Sequence, residues 1–530
     1  MNRISILDCT LRDGGYINDF LFGEKIIKNI VDKLSKASID IIECGFFKSG
    51  AFDSNKSLYG SINAVSKIIT EKNKNLMYVA MLQYGAISDD EIDTRTDTSI
   101  DGIRITFHEH EIEPAFVLGE KLMHKGYKIF MQPVGTITYT DESLIKLIQK
   151  VNDLHPFAFY LVDTLGTMYK NDLLRMFYLV DHNLDKKIAV GFHSHNNLQL
   201  SFANAQELMQ LNTPRQLIID SSVFGMGRGA GNLNTELVTQ YINTNFGLQY
   251  NNLEILEILD TYIKPLSIQY KWGYDAAYYI ASITSCHPNY ASFLLNKQTM
   301  HIQDIYAILK SLESERKALY DKDYIGEQYL KYMNHHIDDT ESREILRNKI
   351  GNKKVLLLAP GKSLKKYESK ILEYIKNNDC YVACVNFIPQ NLPYSMIFIS
   401  NMKRFFNLKA FANQKKEIDV VVTSNITTQS SNDIKVVDYT SYTNEEQVIA
   451  DNAGLMCINL LNKVGVQKIV LAGFDGFSVN KIENYYDNSF VLDVEQERLL
   501  QITDAMKKKL SQLQTQLEIR YLTPSAYENK

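Results

Sequence analysis

His193 and His195 stand two apart in the stretch Gly191-Phe192-His193-Ser194-His195-Asn196-Asn197, which follows the run Lys187-Ile188-Ala189-Val190. On a strand, residues i and i+2 project to one face, so this spacing aims two imidazoles at one point in space, a two-histidine metal-ligand pattern. A divalent cation also wants a hard or anionic donor. The first strand-like run, residues 4–9, leads into Thr10-Leu11-Arg12-Asp13-Gly14-Gly15-Tyr16, where Asp13 is the natural third ligand. Two neutral imidazoles and one carboxylate leave the ion positively charged, with the open coordination expected of a catalytic metal.

The elements that must position these residues are legible as an alternation. Apolar runs at 4–9, 41–46, 76–82, 102–106, 128–133, 158–163, 188–193 and 217–223 are separated by pieces with apolar residues at three- and four-residue steps, such as 24–34 and 143–150. Eight strands each followed by a helix in this length have the rhythm of a (β/α)8 TIM barrel, with a doubly wound open sheet as the competitor. In a barrel, catalytic groups gather at the carboxyl ends of the strands. Arg12 and Asp13 follow the first run, Glu43 is near the end of the second, Gln132 the fifth, Asp163-Thr164 the sixth, and the two histidines the seventh. Glu43, inside an apolar run, needs a partner such as Arg12 or else meets substrate. Thr164 either contacts substrate or caps the next helix with Asp163. After the eighth run, Gly225-Met226-Gly227-Arg228-Gly229-Ala230-Gly231-Asn232 offers backbone N–H groups that suit an anion.

The bulk properties narrow the class. With 530 residues, 45% hydrophobic and 22% charged, the chain can bury two or three cores. A net charge of -5 disfavours nucleic acid, and Lys507-Lys508-Lys509 reads as a solvated helix face. No run approaches the roughly eighteen apolar residues of a membrane span, and the start lacks a charged leader with an apolar core. Six cysteines without CxxC pairs read as thiols of a reducing compartment, and the expected location is the cytoplasm.

Taken in order, "LDCTLRDGGY", "IECGF", "VDTLG", "GFHSHNNLQLSFANA" and "GMGRGAGNLNTELV" resemble the DRE-TIM metallolyase superfamily of hydroxymethylglutaryl-CoA lyases, isopropylmalate and homocitrate synthases and 4-hydroxy-2-oxovalerate aldolases. The resemblance covers about residues 1–300. It implies a metal held by Asp13, His193 and His195, with Asn232 a fourth ligand in some members, and the metal expected is Mn²⁺ or Mg²⁺, with Zn²⁺ or Co²⁺ as alternatives. It also implies that Arg12 stabilises the enolate oxygen formed when a carbon–carbon bond is made or broken beside a carbonyl, where preorganised positive charge counts most. The aldolases carry a His three residues after the metal-binding Asp, and the acyl-CoA enzymes a Gln. Here the residue is Tyr16, a phenol suited to proton donation or to lining the pocket.

Residues 250–310 are helix-patterned, and "YKWGYDAAYYIASITSCHPNYASFLL" resembles the helical segment after the barrel in aldolase-like members. Trp272, Tyr274 and His287 within it could reach a ligand, but an aromatic-rich helical stretch more often packs, and they are not counted as catalytic. A new α/β sheet is expected from 353, where "KKVLLLAPGKSL" runs from a strand into a Gly/Ser turn and a helix, with further strands at 381–385, 395–399, 419–423, 434–437 and 468–472. "LLLAPGKSL", "CVNF", "YSMIFISNMKRF", "NAGLMCINLLNKVGVQKIVLAGFDGF" and "YLTPSAY" resemble bacterial surface-glycan sialyltransferases and motility-associated glycosyltransferases. That resemblance implies a nucleotide or nucleotide-sugar site near Gly361, Ser363, Asn386, Asn401 and Asp475. The His base of the sialyltransferases has no counterpart there.

The expected organisation is therefore a metal-dependent barrel at 1–250, a helical extension and linker at 251–350 and a Rossmann-like domain at 351–530. The expected function is a divalent-metal-dependent lyase or aldolase working through a 2-oxo acid (pyruvate-type) enolate in cell-surface polysaccharide sugar synthesis, in a homo-oligomer. The alternatives are an acyl-CoA-dependent Claisen-type synthase and an inactive barrel in a nucleotide-binding scaffold. The catalytic set is Arg12, Tyr16, Glu43 and Thr164.

Overall fold

A computed structural model of the chain describes residues 4–528 apart from 52, 298–299, 335, 403, 406–407, 409–417, 427–433, 447, 479–483 and 488–495. Contacts divide the chain into two units, Met1–Ser292 with Leu312–Tyr320 and Phe293–Ser311 with Asp321–Lys530.

In the first unit the strands are β1 (Ile4–Asp8), β2 (Ile41–Phe47), β3 (Leu58–Tyr59), β4 (Met77–Gln83), β5 (Gly102–Phe107), β6 (Lys128–Pro133), β7 (Ala158–Asp163), β8 (Ala189–Ser194) and β9 (Leu217–Ser221). They pair in parallel in the order β1-β9-β8-β7-β6-β5-β4-β2, and β1 pairs with β2 to close an eight-stranded barrel. The two-residue β3 adds to the edge of β2. Each of the eight expected runs is a barrel strand.

The period-2 alternation along a strand explains the inside and the outside. On β5, Ile103 and Ile105 join the shell between strands and helices, so Arg104 between them faces the interior. On β9, Ile219 joins that shell, while Ile218 and Asp220 lie inside. Tyr160 fills the interior against Gly191, where a Cβ would stand 2.2 Å from the phenol ring. Helix Glu24–Lys36 buries Ile27, Ile30, Val31 and Leu34, the one-face spacing of an amphipathic helix.

The expectation of a helix after every strand fails once. Between β4 and β5 the described structure is a loop with a 3-10 turn at Asp89–Glu91. Ile87, Ile92 and Ile100 are buried there singly among Asp, Thr and Ser, which gives no continuous apolar stripe to hold a helix.

The second unit contains a seven-stranded parallel sheet of β10 (Lys354–Leu358), β11 (Cys380–Val385), β12 (Met396–Ile399), β13 (Asp419–Thr423), β14 (Ile434–Val437), β15 (Lys468–Ala472) and β16 (Glu518–Tyr521). The order is β14-β13-β12-β11-β10-β15-β16, so the chain winds away from β10 on one side and resumes on the other. β16 is the strand that the apolar pattern did not reveal. Among the described residues, no helix is long and apolar enough to cross a membrane.

Candidate active site

β8 carries His193, and His195 follows one residue past its end. Their Nε2 atoms lie 3.5 Å and 3.4 Å from the same oxygen, Oδ2 of Asp13, in the turn after β1. One donor atom from each of the three falls within 4.8 Å of the others, and all three residues are buried. The second nitrogen of each ring is held from behind. His195 Nδ1 is 3.0 Å from the Asp163 carbonyl, and His193 Nδ1 is 3.0 Å from Asp220 Oδ2, an ion-pair distance without hydrogen-bond alignment. Such outer contacts fix the ring orientation and leave Nε2 as the ligand nitrogen.

The donor set fits a divalent metal. Both Asp13 carboxylate oxygens and Asn232 Oδ1 are buried without a hydrogen-bond partner among the described residues, which is costly unless something cationic completes them. Asn232 is brought alongside by a backbone bridge to His195, and its Nδ2 donates to the Met226 carbonyl at 3.2 Å. Gly231 makes this return possible: its φ is +81° and a Cβ would stand 2.1 Å from the Gly225 carbonyl oxygen. Burial alone would raise the Asp13 carboxyl. The Arg12 guanidinium and the two imidazoles outweigh it and hold Asp13 well below the usual carboxylate range, as a ligand requires.

Beneath the triad runs a closed ring of buried charges. Arg12 Nε donates to Glu43 Oε2 at 2.8 Å, and Arg104 Nη1 lies 2.7 Å from that same oxygen. Arg104 Nη2 pairs with Asp220, which also accepts from Tyr160 at 3.1 Å and backs His193. Arg12 Nη1 closes the ring 3.2 Å from Asp13 Oδ1. With its amide oxygen turned toward Arg104, Gln132 accepts from Nε at 2.6 Å. Arg104 and Asp220 were not singled out in the sequence, although each is a lone charge in an apolar run, the signal that marked Glu43.

A cavity of about 240 Å³ opens above the triad, lined by Arg12, Tyr16, Thr164, His193, His195 and Gln132 among others. Arg12 presents Nη2, buried and without a partner. Glu43 is absent from the wall and pairs with Arg12. Thr164 reaches the wall, but its hydroxyl accepts from the Gly135 amide at 2.8 Å. Asp163 turns its carboxylate to the Thr167 and Met168 amides. Tyr16 is 37% exposed, and Arg228 covers its ring face at 4.1 Å. His287, read from the sequence as packing, lines the cavity too. Its Nδ1 accepts from the Asn289 amide at 3.1 Å, and burial, aided by Arg228, His195 and His108, pushes its imidazole down to about 3. Of its companions, Trp272 donates to the Phe224 carbonyl at 3.1 Å and Tyr274 is exposed, so both lie off this wall.

The HMGL-like family model matches residues 3–261, the span that supplies the triad, Arg12 and Asn232. Over 232 residues the chain is 27% identical to an oxaloacetate decarboxylase of Mycobacterium tuberculosis (strain ATCC 25618 / H37Rv), covering 44% of this chain and 67% of that one. Over 265 residues it is 25% identical to a 4-hydroxy-2-oxovalerate aldolase of Geobacillus genomosp. 3, covering 48% of this chain and 75% of that one. The crystal structure of the amino-terminal domain of a candidate aldolase from Bacteroides vulgatus matches with a TM-score of 0.48 at 25% identity, over 55% of this chain and 96% of that one. The barrel is thus similar to proteins named as a decarboxylase and as aldolases, and its buried Asp-His-His group could hold a metal ion.

The second unit has its own cavity, of about 250 Å³, at the carboxyl ends of β10, β11, β12 and β15, where the strand order reverses. Gly361, Asn386, Asn401 and Asp475 line it, together with Lys297, Arg404 and Arg498. Ser363 does not. Its amide donates to Asp475 Oδ2 at 2.6 Å, and its hydroxyl bonds to the same carboxylate and, at 2.9 Å, to Thr523. The turn that the sequence offered to a phosphate is filled by a carboxylate from 112 positions downstream.

Proposed function

We propose that the barrel is a divalent-metal-dependent lyase or aldolase that makes or breaks a carbon–carbon bond through the enolate of a 2-oxo acid. Asp13, His193 and His195 would hold the metal, with Asn232 Oδ1 as a fourth donor. The observation that carries this reading is the convergence of two Nε2 atoms on Asp13 Oδ2 next to the unpartnered Nη2 of Arg12. When bound, the cation supplies the positive charge that polarises a 2-oxo group and lowers the cost of its enolate.

The chain's own groups do the rest. Arg12 lines the cavity and would be the fixed donor for the developing oxyanion, with Glu43 holding its guanidinium so that no reorganisation is needed. Phe46, Met81, Val134 and Val162 give the cavity apolar wall segments beside these charges. The names of the relatives support the same chemistry, since decarboxylating oxaloacetate and cleaving 4-hydroxy-2-oxovalerate both leave an enolate next to a 2-oxo carbon.

The test is hydrogen exchange. The protein with Mg²⁺ or Mn²⁺ and pyruvate in deuterated water, read by mass spectrometry, should label the pyruvate methyl group, and chelation should abolish the labelling. No exchange above background with any 2-oxo acid would overturn the reading.

For the second unit, the cavity at the strand-order reversal of a parallel sheet, rimmed by Lys297, Arg404 and Arg498, supports a Rossmann-like site for a nucleotide or nucleotide-sugar. On this reading the full chain works in cell-surface polysaccharide sugar synthesis. Thermal shift of the full chain with cytidine and uridine nucleotides tests it, and the shift should vanish in Arg404→Gln.

A further inference from the structure

The geometry points to Arg228 as an anion receptor on the outer wall of the barrel cavity, so that the fragment on the far side of the reacting carbon–carbon bond carries a carboxylate or phosphate of its own. The inference rests on the 2-oxo acid reading and goes beyond it by naming the class of the second reactant.

Arg228 is held over an aromatic face and has one long ion pair, to Asp13. Its Cζ lies 4.1 Å from the ring centroid of Tyr16, and Tyr16 is itself braced edge-on by Phe20 at 5.1 Å and Phe46 at 6.3 Å. Such stacking fixes a guanidinium plane, and the side chain remains 30% exposed. Its nearest carboxylate oxygen, Asp13 Oδ1, is 4.0 Å from Nε, too far for a hydrogen bond, and Nε is buried with no partner among the described residues. Arg12, by contrast, is tied to both Glu43 and Asp13.

The charge of the wall agrees. Arg12 and Arg228 line the cavity as its cationic side chains, and no Asp or Glu does so among the described residues. A 2-oxo acid held at the triad and Arg12 would use its own carboxylate there, leaving Arg228 with an unmet donor. A buried unmet donor is costly, and a group of opposite charge repays it with a charge-assisted bond. A neutral second fragment would leave that donor unmet, so the site discriminates against it.

In the synthetic direction the 2-oxo acid loses a proton from C3, and the C3 electron pair forms the new bond to the aldehyde carbon. The aldehyde π pair moves to its oxygen, which takes up one proton, so nothing is oxidised or reduced. Arg228 binds the aldehyde's distal anion and takes no part in the electron movement.

The experiment pairs pyruvate with acetaldehyde as the neutral probe, succinic semialdehyde and glyoxylate as carboxylate probes, and glyceraldehyde 3-phosphate as the phosphate probe. The wild-type protein should favour at least one anionic aldehyde over acetaldehyde by about 10- to 100-fold in kcat/KM. Which probe wins separates a carboxylate from a phosphate. In Arg228→Met the ratio should fall to within a few-fold of unity, with Arg228→Lys between the two. Pyruvate exchange in the wild-type protein without any anionic preference, or a preference that survives in Arg228→Met, overturns the assignment alone. Absence of pyruvate exchange overturns the lyase reading and Arg228 with it.

Discussion

Arg12, which lines the cavity, gives its Nε to Glu43 at 2.8 Å and keeps a buried Nη2 without a partner among the described residues. Glu43 is the shared counter-charge of two buried guanidiniums, Arg12 and Arg104. Removing one partner of a buried pair leaves uncompensated charge, at about 3–5 kcal/mol. Glu43→Gln should therefore lower the unfolding free energy by that order in urea titration and cut turnover by about 10- to 100-fold through a misplaced Arg12. A variant as stable and as active as the wild type would show that the pair does not position Arg12.

Asp220 backs His193 from behind while pairing with Arg104. Loss of such an outer partner weakens metal affinity by about 10- to 100-fold. Titration calorimetry with Mn²⁺ should give that loss for Asp220→Asn and no measurable binding for Asp13→Asn. Unchanged affinity in Asp220→Asn would mean that His193 is oriented by other contacts.

Asp8, at the end of β1, provides a pH signature away from the ligands. Its carboxylate accepts from the Thr10 amide at 2.9 Å and the Thr235 hydroxyl at 2.7 Å, yet burial outweighs both and pushes it up to about 6 from 3.8. A raised folded-state value means that the native state holds a proton the unfolded chain has released. The stability it contributes is complete below pH 3.8 and is lost as pH rises toward about 6. The unfolding free energy of the wild-type protein minus that of Asp8→Asn should fall by about 1.4 kcal/mol per pH unit across this window and level off above it. A difference flat from pH 4 to 6 would contradict the assignment.

The barrel was legible because its strands are short apolar runs of the right length, and the triad because His-x-His on a strand allows one geometry. What was hidden depends on register and distance. Arg104 and Asp220 stand 116 positions apart, and the pattern marks each as a charge in a strand without saying which charge faces which across the barrel. His287 reaches the cavity only through the path of the chain after the barrel, which local periodicity does not encode. The loop between β4 and β5 took the place of an expected helix because its isoleucines are buried one at a time. At Ser363 the Gly/Ser turn was visible, but the carboxylate that fills it comes from Asp475, beyond five intervening strands.

The central claim is that Asp13, His193 and His195 hold one cation. Crystals grown with Mn²⁺ and measured near the manganese absorption edge test it directly. The account predicts an anomalous peak in coordination contact with Asp13, His193 Nε2 and His195 Nε2, lost in Asp13→Asn. Fully occupied manganese elsewhere with no peak among these three side chains would contradict it.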